Sequence, residues 1–463
     1  MKTILFIYKY EYLEPLGIMS LAAFLQAHGH RCEFLDLAFE KDLLRAVQPI
    51  NPDIIAYSIT TGRHPFYQKL NLQLKKNFNF LSVFGGPHAT FFPDFIQEQG
   101  VDVICRGEGE GALLDLANAL DSGNNFHAIP NLWIKSGSMI HKNPLRPLIA
   151  DLDALPFAAR DLVNKYEPYA KLHRRMILTG RGCPFKCSYC FNHSFHDLYK
   201  GKGRLVRKRS VDHVIRELQQ VRDQDRPRRF QFVDDTFILD HDWCFEFLER
   251  YKTEIGLPFI VYSRVNLVND EIVRRLKDAG CVTILYAIES GNDHIRNDIL
   301  KRNISREQIL GAAKIFRKYG LRTYAQNMVG LPGESMPAAM DTLELNIACR
   351  PDYAWNSIFQ PYPMTDLYQY CKDNGYLTNE TIDETFYKKS VLNIPHRKYV
   401  PRFHHLFPLA VSMPIIKFLL PVLLRLPLTT LYYYLWHAHR AYAYFFKVNW
   451  IDWSELLIRK RKR

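Results

Sequence analysis

Gly180-Arg181-Gly182-Cys183-Pro184-Phe185-Lys186-Cys187-Ser188-Tyr189-Cys190-Phe191-Asn192 sets three cysteines at C-x3-C-x2-C spacing in one short loop. Met176-Ile177-Leu178 just before it reads as the end of a strand, and the glycines flanking Arg181 let the backbone turn tightly. Three thiolates on one loop can converge on one soft metal centre. Iron–sulfur clusters are held by such thiolates, usually four of them, so a set of three leaves one iron open to another ligand. A zinc knuckle is the competing reading. Zinc sites, however, usually pair their ligands as two C-x2-C or similar units, and no second such unit occurs here.

From about Ala150 to Gly375, strand and helix patterns alternate around this loop. Ser210 to Val221 reads as a helix capped by Ser210. Apolar runs follow at Arg229–Val233, Phe259–Tyr262, Val282–Ile288, Arg322–Val329 and Asn356–Phe359. Each ends in polar or glycine residues: Asp234-Asp235-Thr236-Phe237, Ser263-Arg264-Val265-Asn266, Glu289-Ser290-Gly291, Gly330-Leu331-Pro332-Gly333-Glu334 and Gln360-Pro361-Tyr362-Pro363. Repeated strand–helix units with polar residues at the strand ends predict a barrel or partial barrel with its site on the carboxyl face. Asp151-Leu152-Asp153-Ala154-Leu155-Pro156 reads as an extended linker leading into it.

The cysteine loop resembles the CxxxCxΦC loop of the radical S-adenosylmethionine (SAM) superfamily, with Tyr189 in the aromatic position. The resemblance implies a 4Fe-4S cluster on Cys183, Cys187 and Cys190, SAM on the open iron, and a partial (β/α)6 barrel. A bound sulfonium with an ammonium group needs carboxylate or carbonyl acceptors, which Asp234 and Asp235 can supply. Ribose hydroxyls suit Glu289, and Ser263 and Arg264 can pair with the methionine carboxylate of SAM. The sequence is similar to the subgroup in which Asp-Asp-x-Phe replaces Gly-Gly-Glu, and Gly330-Leu331-Pro332-Gly333-Glu334 matches that subgroup, which adds Gly330 to the SAM set. Ala287 and Met364 stand where the subgroup usually has glycine, which touches fine geometry and no polar ligand. Taken singly, each of these carboxylates reads equally well as a helix cap or a surface charge.

Residues 1–147 show the same alternation, with strands at Thr3–Tyr8, Arg31–Leu37, Ile54–Ser58, Leu81–Phe84 and Val101–Cys105 and a helix over Leu16–His28. This predicts a doubly wound parallel sheet with its ligand at the carboxyl ends of the strands. Glu14-Pro15-Leu16-Gly17-Ile18, Ser58-Ile59-Thr60, Gly85-Gly86-Pro87-His88-Ala89-Thr90 and Gly107-Glu108-Gly109-Glu110 resemble the cobalamin-binding domain that precedes many radical SAM modules. The resemblance implies cobalamin contacts at Leu16, Gly17, Ser58, Thr60, Gly85, Gly86, His88, Gly107 and Glu108. The D-x-H-x-x-G motif, whose histidine ligates cobalt, is absent from the sequence. The implied binding therefore has no histidine lower ligand, with the loop Tyr10–Leu16 below the corrin. A nucleotide-type sheet without a cofactor, or one that has lost cobalamin, fits the same pattern. A lone histidine after a turn, such as His88, is as readily a local hydrogen-bonding group.

The 463 residues hold enough apolar content, 47 %, for large cores, and their formal charge is +13. Such a balance points to nucleic acid, anionic lipid or an acidic substrate, or simply to solvated faces. Basic runs lie at Arg204–Arg209 and in Ile458-Arg459-Lys460-Arg461-Lys462-Arg463, and nothing specifies a nucleic-acid fold. Nine cysteines without framework spacing point to a reducing, cytoplasmic compartment, and no signal peptide is expected. Residues 376–463 form a third region, a helical, apolar and basic extension. Leu406 to Leu424 is about long enough for a bilayer span, but three prolines and Lys417 break it. Tyr432–Trp436, Tyr442–Phe446 and the basic end suit a membrane interface, peripheral at its inner face; a cap on the barrel or on a dimer partner is the alternative.

The combined resemblance implies a cobalamin-dependent radical SAM enzyme. A 5′-deoxyadenosyl radical would abstract hydrogen from an unactivated carbon of an apolar or lipid-like substrate, and a methyl group from cobalamin would replace it. Radical oxidative cyclisation or rearrangement is the first alternative. A cobalamin- or cluster-binding sensor without turnover is the second. Electrons would come from a flavodoxin- or ferredoxin-type protein.

Overall fold

The computed structural model describes residues 1–9, 13–380 and 387–448. Part of the expected sub-corrin loop, Tyr10–Tyr12, and the basic end from Ile458 lie outside the described residues. The chain forms two compact units. One holds Met1–Lys171 with Tyr199–Arg207, and the other holds Leu172–Leu198 with the chain from Lys208 onward. The described part of the segment read as a separate extension groups with the second unit.

The first unit is built on a sheet of β1 (Thr3–Tyr8), β2 (Arg31–Asp36), β3 (Ile54–Ser58), β4 (Leu81–Gly85), β5 (Val103–Cys105), β6 (Leu132–Ser136) and β7 (Met139–Lys142). The strand order is β2-β1-β3-β4-β5-β6-β7. β1 to β5 are parallel, and their order reverses between β1 and β3, which opens a crevice at the carboxyl ends of those two strands. Leu5, Ile7, Ile55, Tyr57 and Phe84 are buried in one core on this sheet. β6 and β7 form an antiparallel hairpin absent from the sequence reading. Its turn places Gly137 at φ +60°, a conformation that glycine adopts without a Cβ penalty. Its outward side chains, Lys135, Ser136, Met139 and Lys142, left the apolar signal too weak to find. Within the expected extended linker the chain turns at 152–155, where the Asp151 carboxylate accepts from the Asp153 amide at 2.9 Å.

The second unit contains six parallel strands that pair in sequence order: β8 (Arg174–Ile177), β9 (Arg229–Phe232), β10 (Phe259–Ser263), β11 (Cys281–Glu289), β12 (Arg322–Val329) and β13 (Tyr353–Ile358). This is the sheet of a partial (β/α)6 barrel. Helices Val211–Asp225, His241–Glu254, Asp270–Asp278, Arg306–Lys318 and Met336–Cys349 follow their strands. Side chains alternate between the two faces of each strand. Phe230, Phe232, Phe259, Val261, Ile284 and Tyr286 join the core under the helices. Ile260, Leu285, Tyr324 and Tyr353 instead pack with Ala443 and Val448. The Val448 carbonyl accepts from Thr283 Oγ1 at 2.8 Å, so this late segment closes the amino-terminal end of the sheet. Helix Val400–Ser412 covers the edge strand β13, burying Phe403, Leu406 and Phe407 with Ala354 and Ile358. The proline-rich run breaks after Ser412 into the short helix Ile416–Leu423 and then the helix Thr429–Tyr442. No described helix is long and apolar enough to cross a membrane.

Candidate active site

The cysteine loop leaves β8 and is pinned at its centre. The Ser188 hydroxyl donates to the Ile299 carbonyl at 2.7 Å, and its amide donates to Leu300 at 3.1 Å. The Leu367 amide donates to the Ser188 carbonyl at 2.8 Å, and His196 Nε2 meets the Cys183 carbonyl at 2.6 Å. This anchoring buries Cys187 and leaves Cys183 and Cys190 partly exposed. Burial pushes the Cys190 thiol up to about 11, with Cys187, Asp235 and Cys183 adding to the rise. Cys183 is raised by burial too, with help from Asp235 and Cys187. Cys183 and Cys190 therefore share a carboxylate neighbour, and each lies close enough to Cys187 to be influenced by it. Among the described residues, no three His, Cys, Asp or Glu side chains converge on a single-ion site.

Arg264, at the end of β10, supplies the positive charge such a thiol set needs. Its Nη1 lies 3.5 Å from Cys187 Sγ, its guanidinium sits 3.8 Å from the Phe185 ring centre, and Nη2 donates to the Arg302 carbonyl. Burial, and then the nearby Arg302 charge, press the Arg264 pKa down. Arg264 Nε, Ser263 Oγ and Asn266 Oδ1 are buried and have no hydrogen-bond partner among the described residues. Three orphaned polar atoms on four consecutive residues fit an absent polar ligand, because burying such groups unpaired is costly. The donor set fits a cluster with SAM: three thiols, an adjacent guanidinium, and unpaired donors and acceptors at the strand end.

The two aspartates after β9 separate. Asp234 is buried; its carboxylate accepts from Thr179 Oγ1 at 2.6 Å and from the Thr179 amide at 3.1 Å, and it faces Lys208 at 3.5 Å. Asp234 therefore ties β9 to the strand before the cysteine loop. Asp235 is exposed beside the thiols. Glu289 ends β11 at φ +67°, past a register shift, which aims its side chain inward. It accepts from the Tyr189 hydroxyl at 3.0 Å. Burial raises its pKa, against the opposing pull of Arg302 and Tyr189. Arg302, which the sequence reading missed, binds the Tyr189 hydroxyl at 2.6 Å and the Ala287 carbonyl at 2.8 Å, and faces Glu289 at 3.7 Å. Gly330 adopts φ +72° and donates its amide to Glu334 Oε2 at 2.6 Å. The same carboxylate oxygen meets His396 Nε2 at 3.2 Å.

In the first unit, the residues at the carboxyl ends divide into open and engaged. Ser58, Thr60 and Gly17 are exposed, and a Cβ on Gly17 would meet nothing within 4 Å. Leu16 and Gly85 are half-buried beside them. Gly86, at φ +87°, packs so tightly on Ile59 that a Cβ would come within 2.9 Å of its backbone. Gly107 packs against the Tyr199 ring, and Glu108 pairs with Arg207 at 2.9 Å. His88 is buried, stacks on His64 at 3.8 Å and meets Thr61 Oγ1 at 3.1 Å. Burial, aided by His64, lowers its pKa to about 3. Hydroxyls and bare backbone thus face the crevice between β1 and β3, which fits a large ligand with hydrogen-bonding edges. His88, Gly107 and Glu108 make internal contacts instead.

Residues 177–345 match the model of the Radical SAM superfamily, and residues 3–117 match that of the B12 binding domain. An uncharacterized methyltransferase of Pyrococcus horikoshii is 30% identical over 78% of this chain and 79% of its own length. The anaerobic magnesium-protoporphyrin IX monomethyl ester cyclase of Rubrivivax gelatinosus is 26% identical over 77% of this chain and 66% of its own. Among solved structures, the radical SAM methyltransferase TsrM of Kitasatospora setae superposes with a TM-score of 0.69 at 17% identity, covering 82% of this chain and 78% of that one. The fold and site define a radical SAM enzyme with a cobalamin-binding domain ahead of its barrel. The chain belongs to this cobalamin-dependent group of the radical SAM superfamily, whose cofactors are a 4Fe-4S cluster, SAM and cobalamin and whose members draw electrons from an external reductant.

Proposed function

We propose that this enzyme transfers a methyl group to an unactivated carbon of an apolar or lipid-like substrate. When bound, the cluster and SAM supply hydrogen-atom abstraction, and the corrinoid supplies the methyl group. The observation that carries the reading is the orphaned set Ser263 Oγ, Arg264 Nε and Asn266 Oδ1 on the strand end that also brings Arg264 to Cys187.

Each residue then has a task. Cys183, Cys187 and Cys190 hold the cluster. Arg264 and Ser263 orient the SAM carboxylate, and Asp235 offers an exposed carboxylate to its ammonium. Glu289, steadied by Tyr189 and Arg302, receives the ribose, while Gly330 ends its strand in a turn held by Glu334 and offers its backbone to SAM. Asp234 keeps the loop entry fixed through Thr179. In the first unit, Ser58 and Thr60 meet the corrin edge, with Leu16, Gly17, Gly85 and Gly86 forming its bed. His88, Gly107 and Glu108 shape that bed from behind. We assign electron supply to a flavodoxin- or ferredoxin-type protein. We place the enzyme on the cytoplasmic side, at the inner face of the membrane.

The methyltransferase relative supports methyl transfer, and the apolar helices Ile416–Leu423 and Thr429–Tyr442 support an apolar substrate. The cyclase relative favours radical ring formation as the second reading. The test uses anaerobic, cluster-reconstituted protein supplied with cobalamin, SAM and reductant. Iron, sulfide and corrinoid are measured together, then 5′-deoxyadenosine and transfer of labelled methyl from SAM to a lipid extract. All signals together support the proposal. Nucleoside without methyl transfer moves the reading to cyclisation, and a loaded cluster that never cleaves SAM, with substrate extract present, overturns both.

A further inference from the structure

The C-terminal helices break the usual rule that an apolar face turns inward and a polar face outward. In helix Ile416–Leu423, Leu420 and the following Leu424 are buried against the barrel unit. Yet Ile415, Phe418, Leu419 and Val422 form a second apolar stripe on the other side, with Phe418 71% exposed. Spacing of i, i+3, i+4 and i+7 puts these four on one face. Helix Thr429–Tyr442 repeats the pattern: Tyr432 and Trp436 are buried, whereas Leu431, Tyr434, Leu435 and Tyr442 point outward. The turn between the helices exposes Leu426 and Leu428 as well. Exposed large apolar side chains therefore recur without a break from Ile415 to Leu435 among the described residues. Single exposed leucines are ordinary, but so many exposed apolar side chains on two successive helices mark a surface that meets something.

Charge decides what it meets. The sequence from Thr385 to Ile451 contains no aspartate or glutamate. Arg425 and Lys447 are exposed, and Lys417 reaches Glu344 at 3.0 Å. In a two-fold dimer through this band, the same cations would face one another with no carboxylate in the segment to pair with them. An anionic lipid surface removes that conflict, since headgroup phosphates meet the cations while the stripe enters the acyl boundary. Tyr433, Tyr434 and Tyr442 suit the level between the two.

We propose that Ile415–Tyr442 is a membrane-docking surface that lies in the face of an anionic bilayer without crossing it. It rests on the inner-face placement given above, and it gives that placement an address in the chain. An enzyme so seated takes apolar substrate from the bilayer instead of from water.

The test is flotation of the full chain with vesicles, read without turnover. Vesicles of phosphatidylcholine alone are compared with vesicles of equal parts phosphatidylcholine and phosphatidylglycerol. Binding to the mixed vesicles should be about tenfold stronger or more and should weaken with salt. Phe418→Glu with Leu435→Glu should reduce it by about tenfold or more. Arg425→Glu with Lys447→Glu should erase the preference for phosphatidylglycerol. All four side chains are exposed, and unchanged thermal unfolding and iron content verify folding. Equal binding of wild type and both variants, or a concentration-dependent dimer lost in Phe418→Glu, would overturn the proposal. SAM cleavage is measured on the same samples: lost vesicle binding with normal cleavage rejects only the docking surface, and the reverse rejects only the chemistry.

Discussion

The Arg264 guanidinium lies between a sulfur and an aromatic ring, with Nη1 3.5 Å from Cys187 Sγ and the Phe185 ring centre 3.8 Å away. One side chain from β10 thus holds both the charge and the shape of the cysteine loop. Arg264→Gln removes a charge-assisted contact and a cation–π contact, together about 2 kcal/mol. Reconstituted protein should hold less than about half the wild-type iron, whereas Cys183→Ala, Cys187→Ala and Cys190→Ala should each abolish cluster iron and sulfide. Iron and sulfide assays, with urea unfolding of the apoprotein, check this.

Gly107 adopts φ +73°, and a Cβ there would land on the Tyr199 hydroxyl. Gly107→Ala should destabilise the first unit by about 2–3 kcal/mol, through backbone strain and overpacking. Adding Tyr199→Ala should recover part of the packing loss and none of the strain. The unfolding midpoints of the single and double variants measure the split.

Met364 adopts φ +69°, the left-handed region that favours glycine. A side chain in that region costs on the order of 1 kcal/mol. Met364 is 59% exposed, so little packing is lost with its side chain. Met364→Gly should raise stability by about 0.5–1 kcal/mol, visible as a higher thermal midpoint with cluster content unchanged.

His405 is 4% exposed and faces His404, His437, Tyr433 and Trp436. Burial, then the His437 charge, lowers its pKa from 6.5 to about 4. A histidine depressed in the folded state takes its proton first when unfolded. Its stabilising contribution is therefore whole above pH 6.5 and is lost as the pH falls toward 4. Near pH 5 that loss is about 2 kcal/mol. His405→Phe should flatten the fall in stability between about pH 7.5 and about pH 5 by that amount, read from urea midpoints at each pH.

The features legible in the sequence were those whose determinants are local. Cysteine spacing, the apolar runs and the polar residues that end them lie within a few positions of one another, so the cysteine loop and the parallel strands of both sheets were readable, whereas the antiparallel β6–β7 hairpin was not. Arg302 was not. Its contacts to Tyr189 and Glu289 arise where the turn after Ile295–Ile299 folds back under β11, and no local pattern marks it. The different fates of Asp234 and Asp235 depend on Thr179 and Lys208, far away in the chain. Tyr199–Arg207 grouping with the first unit likewise depends on packing, because the Tyr199 ring fills the space left by Gly107.

The in-order pairing of β8 to β13 has a bearing on how the enzyme is made. Each strand finds its neighbour already synthesised, so the sheet can grow as the nascent chain leaves the ribosome. β13 differs, because its outer edge stays bare until helix Val400–Ser412 follows. During that interval the chain presents an open strand edge, the feature that invites mispairing and chaperone capture. A stop codon before Val400 should therefore yield an aggregating product rather than a working barrel without its tail.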